Sequence, residues 1–124
     1  MYQIHFKNKV VKVAGFNYIT MRRLSRIWKT KTFTDLEKTM QDVFARVEKT
    51  DFDALDKLGS MIQQVMIDAM PEVMDYSVDE VINDYLLDEQ FQEDINFMFA
   101  DSMEKMAQKK NSRKAPAKRK QTKK

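Results

Sequence analysis

Only four of the 124 residues are glycine or proline: Gly15, Gly59, Pro71 and Pro116. A sheet-rich domain needs many tight turns, and tight turns need residues that accept positive φ or hold φ fixed. Four such residues cannot punctuate a sandwich or a barrel, so the chain must run mostly as helices. With 43% hydrophobic residues, eight Phe and one Trp, it carries enough apolar surface for one modest core.

The single alternating segment lies at the start. Tyr2, Ile4 and Phe6 alternate with Gln3, His5 and Lys7, and Val10, Val11 and Val13 follow a Lys7–Asn8–Lys9 turn. This predicts a hairpin over 2–13. Asn17 can cap a first helix over about 18–29, with Tyr18, Met21, Leu24 and Trp28 in one stripe and Ile27 alongside. Arg22, Arg23, Arg26 and Lys29 lie mostly off that stripe. Thr34 and Glu37 form a capping-box pattern for a second helix reaching about 49. Asp51 or Asp53 caps a third, which must stop near Met70 because Pro71 disfavours helical geometry in the residue before it. Ser77 and Glu80 form another box. A fifth helix follows from about 88, with Phe91, Ile95, Met98, Phe99 and Met103 inward.

Past about 108 the periodicity ends. Lys109, Lys110, Arg113, Lys114, Lys118, Arg119 and Lys120 mark a basic tail with no apolar face. Such a segment cannot offset its ordering entropy by burial. The expected architecture is therefore α+β, mainly α. A single domain over 1–107 packs an N-terminal β-hairpin on four to five short helices, with Leu58, Ile62 and Phe99 in the core. A disordered tail covers 108–124.

Charge is blocked along the chain. Residues 1–31 carry eight Lys/Arg and no acid, residues 32–104 carry four Lys/Arg and all 19 acids, and residues 105–124 carry ten Lys/Arg and no acid. The basic 1–31 and the acidic 58–104 can attract one another between copies, which favours head-to-tail self-association. Chemistry is harder to find. Cysteine is absent, which excludes disulfides and thiolate metal sites. His5 is the only histidine, and alternation places it on the polar face of a strand. The Asp51–Asp56 stretch starts like a calcium loop, but Leu55 stands at its fifth position and no Gly at its sixth. No Lys, Arg or His in 58–104 could tune the carboxylates there. The expectation is a non-enzymatic protein without metal or cofactor. No apolar run approaches a membrane span, so a soluble intracellular protein is expected.

Binding remains. Methionine adapts to irregular surfaces, and ten are present. Met40 and Met98 sit on core stripes. Met61, Met70 and Met74 fall off-stripe or at a helix end and are the candidates for an exposed partner-binding patch, together with Arg22, Arg23 and Arg26.

The order of elements carries a resemblance. A basic hairpin, the helix opening "GFNYITMRRLSRI", a capped helix, a helix ending in "AMPEV" and an acidic helical half resemble the tail assembly chaperones of long-tailed bacteriophages, over about residues 2–100. The resemblance implies a small, mostly helical, non-enzymatic protein. It would act in the cytoplasm of the infected host, bind the tape measure protein and tail tube protein, and be absent from the finished virion. It also implies the chance of a longer frameshifted form. The alternative is a small nucleic-acid-binding protein using the Lys/Arg-rich tail. Against it, the domain before the tail is strongly acidic, and the tail has no aromatic residue to stack on bases. Any nucleic-acid contact is then non-specific. A structural virion component is a third reading.

Overall fold

The chain reverses once as a hairpin and then runs as helices. The computed structural model describes the backbone of residues 1–122 and the side chains of residues 1–105. The order is β1 (Tyr2–Phe6), β2 (Lys9–Val13), α1 (Tyr18–Trp28), α2 (Phe33–Val47), α3 (Phe52–Met66), a 3-10 helix (Pro71–Asp75), α4 (Val78–Leu87) and α5 (Glu89–Thr122). The mainly helical α+β class is as expected. The disordered tail expected over 108–124 concerns residues whose side chains lie outside those described.

β1 and β2 pair antiparallel, with Tyr2 opposite Val13 and Phe6 opposite Lys9. Lys7 and Asn8 both take left-handed backbone (φ 48° and 66°), as a two-residue hairpin turn demands. Asn tolerates that region readily and Lys less so. Lys7 is held there by an ion pair to Asp84 at 2.9 Å and by the ring of Tyr76, 4.7 Å from its ammonium. Ile4, Phe6, Val11 and Val13 are buried on one face of the hairpin.

Caps define the helix starts. Asn17, Asp51 and Ser77 accept the backbone N–H of Thr20, Ala54 and Glu80, and the Ser77–Glu80 box is complete. The second helix corrects the reading. Thr32 caps it, accepting from the N–H of Asp35 at 3.0 Å, and Thr34 lies inside the first turn. With Thr32 as the cap, Asp35 takes the third helical position, still within the first turn, where the helix dipole favours an anion. α3 also ends at Met66, before the proline boundary, and a turn carries the chain to the 3-10 helix.

α3 is the central element. It packs against α1, α2, α4, β2 and the 3-10 helix, and Leu58 and Ile62 are fully buried. Phe99 sits at the core's edge, packed against it. Gly59 faces α4. A Cβ there would lie 2.5 Å from Val78 Cγ1, 3.1 Å from Ile82 Cγ1 and 3.2 Å from the Val78 carbonyl. Gly15, at φ +85°, lies against Tyr2 and Ser102, where a Cβ would meet their atoms at 2.7 and 2.9 Å. Both glycines are therefore close-approach points.

α5 clasps the hairpin. The Tyr2 hydroxyl donates to Asp101 at 2.5 Å, and the His5 backbone N–H donates to Asp94 at 2.8 Å. Arg46 joins Asp42, Asp51 and Asp53 across the α2–α3 connection. These contacts set an acid limit on stability. The Ala54 N–H, and next the Arg46 guanidinium, hold Asp51 below the usual carboxylate range. Lys57 does so for Asp53, and the Tyr2 hydroxyl followed by Lys105 does so for Asp101. A carboxylate with a lowered folded pKa stabilises the native state above its unfolded value of about 4, and that contribution disappears as pH falls through the folded value. Urea midpoints should therefore hold steady from about pH 7 to 5 and drop below about pH 4. Asp101→Asn should flatten that acid limb. A limb as steep as the parent's would mean that Asp101 contributes nothing to it.

Candidate functional site

A partner-binding surface needs exposed apolar groups, and the three candidate methionines separate on that test. Met61 is 0% exposed, Met70 3% and Met74 46%. The expectation of an exposed patch is thus corrected for Met61 and Met70. α3 is covered by several neighbours, so Met61 is inside although it lies off the main stripe. Met70 donates its N–H to the Met66 carbonyl at 2.8 Å, folding back onto α3 before Pro71. Met21, Met40, Met66 and Met98 are also buried. These six methionines, Met61 and Met70 included, fill the core.

The exposed apolar side chains are of other kinds. Tyr18 is 75% exposed, Phe52 81%, Leu87 77% and Phe97 64%, and Ile19, Ile27, Phe33 and Leu86 are also exposed. Tyr18 and Ile27 were expected inward. The buried stripe of α1 is instead Thr20, Met21, Leu24 and Ser25, which leaves Tyr18 and Ile27 outside it. Phe52, Leu87 and Phe97 were not singled out from sequence. Their signal was available: large apolar residues off the stripe of a strongly patterned helix.

An open groove of about 270 Å³ runs between α2, α4 and α5, lined by Phe44, Ala45, Val47, Glu48, Tyr85 and Asn96. Its aromatic wall is fixed from behind. Phe44 stacks on Phe99 with centroids 3.8 Å apart, and Phe99 meets Phe16 edge-on at 5.9 Å. The Tyr85 hydroxyl donates to Asn96 Oδ1 at 2.8 Å, and burial pushes the phenol pKa up. The volume is below the roughly 300–1,000 Å³ of small-molecule sites. It suits one or two apolar side chains of a protein partner.

The charge blocks meet within the chain. His5 pairs with Asp94, Lys7 with Asp84, Lys9 with Glu72 and Arg23 with Asp68. Part of the attraction expected between copies is therefore satisfied internally. Of the candidate arginines, Arg23 makes a two-pronged contact with Asp68 at 3.0 and 3.2 Å. Arg22 donates to Ser25 Oγ at 3.2 Å, and Arg22 and Arg26 are both exposed. The basic tail residues lie outside the described side chains. Among the described residues, no group of three or more His, Asp or Glu side chains could hold a metal ion, and no helix is long and apolar enough to cross a membrane.

Comparison of the chain with protein-family models, with curated proteins and with solved structures finds no match.

Proposed function

We propose that this protein is a non-enzymatic chaperone for phage tail proteins. It binds the tape measure protein and the tail tube protein in the cytoplasm of the infected host before assembly and stays out of the virion. The observation that carries this reading is the groove between α2, α4 and α5. It is open, aromatic-walled and sized for side chains, as a holder of apolar segments requires. The order of elements supports the choice of client. Exposed Phe52, Leu86 and Leu87 add apolar surface without completing any constellation of catalytic groups.

Co-expression with the cognate tape measure protein should raise that protein's soluble yield and co-purify the pair. Ala45→Arg, an exposed position on the groove wall, should abolish co-purification while leaving thermal stability within about 0.5 kcal/mol, as surface changes usually do. Unchanged client solubility with the parent protein would count decisively against the proposal. Full binding by the Ala45→Arg variant would move the client off this groove.

A further inference from the structure

Two helices expose charged rows of opposite sign with the same spacing. On α1 the outward positions Tyr18, Arg22 and Arg26 are separated by four residues each, and all three are exposed. On α5 the outward positions Glu89, Glu93 and Phe97 repeat that spacing, and all three are exposed. Residues four apart stack along one face of a helix. Among the described residues neither Arg22 and Arg26 nor Glu89 and Glu93 form an ion pair, although Lys7, Lys9 and Arg23 each have one. The internal pairing of the blocks has left these two rows over.

We infer that α1 of one copy docks antiparallel on α5 of a second copy, with Tyr18 on Phe97, Arg22 on Glu93 and Arg26 on Glu89. Only the antiparallel direction brings aromatic to aromatic and arginine to glutamate at all three positions. The parallel direction sets Tyr18 on Glu89 and Arg26 on Phe97. The dipoles agree with the choice, because the C-terminal end of α1 then lies beside the N-terminal end of α5. One such contact leaves the α5 row of the first copy and the α1 row of the second free, so a head-to-tail contact propagates into a ring or an open chain. This self-association needs no client, and its test is independent of the chaperone reading.

Sedimentation velocity on the purified full chain alone would test it. At about 100 μM and about 20 mM salt the protein should sediment as concentration-dependent oligomers, and about 1 M salt, where screening acts within roughly 3 Å, should weaken association at least about tenfold. Arg22→Glu/Arg26→Glu and Glu89→Lys/Glu93→Lys should each be monomeric alone. Mixed together they should associate again, since each supplies the sign the other lacks. Glu89→Gln/Glu93→Gln, which keeps side-chain size and removes charge, serves if the lysine variant is poorly folded by circular dichroism. A parent that stays monomeric at low salt would overturn the inference, as would reversed variants that still self-associate or a mixture that remains monomeric.

Discussion

Replacing Gly59 with alanine is expected to destabilise the fold by about 1–3 kcal/mol, the usual cost of forcing extra volume into a packed interface. Helix propensity argues the other way, since alanine is better than glycine inside a helix by about 1 kcal/mol. Contact decides. The new Cβ would stand 2.5 Å from Val78 Cγ1 and 3.2 Å from the Val78 carbonyl. Valine in a helix has one strongly preferred rotamer, so it cannot swing clear cheaply, and the backbone oxygen cannot move without α4. Thermal or urea unfolding measures the loss. Gly59→Ala combined with Val78→Ala should cost less than the two single changes added together, because the second removes the nearest obstacle. A Gly59→Ala variant more stable than the parent would show that α3 and α4 are not in close contact there.

Met61→Ala should cost about 2–5 kcal/mol, the range for emptying a fully buried aliphatic site. Met74→Ala, half exposed, should stay within about 0.5 kcal/mol. The pair of measurements separates core from surface for residues that looked alike in sequence. Equal small effects would place Met61 on the surface after all.

The elements were legible because caps and stripes coincide. Asn17, Asp51 and the Ser77–Glu80 box each stand just before an apolar run, and their hydrogen bonds are local, so sequence carries them in full. Thr32 was missed because Thr34 sits two residues on with Glu37 behind it, a stronger pattern than Thr32 with Asp35. The burial of Met61 and Met70 was not legible for a different reason. A helical stripe reports which face prefers the core, not how many neighbours surround the helix. α3 is covered by β2, α1, α2, α4 and the 3-10 helix, so off-stripe Gly59, Met61 and Gln63 are also inside. Gly59 carried a readable hint, since a lone glycine in a patterned helix often marks close packing. The groove was illegible because its α2 wall and its α4–α5 wall come from distant parts of the sequence.

The clasp between β1 and α5 has a consequence for synthesis. Tyr2 meets Asp101 and His5 meets Asp94, contacts spanning 99 and 89 residues. A chain leaving the ribosome presents its hairpin well before the helix that covers it. Until α5 has emerged, the tie that the hairpin makes to it cannot form, and closing so long a loop is slow compared with forming helices. The middle helices can form early, but the domain closes only once α5 has emerged. Until then the domain is itself an unfinished chain with apolar surface to hide.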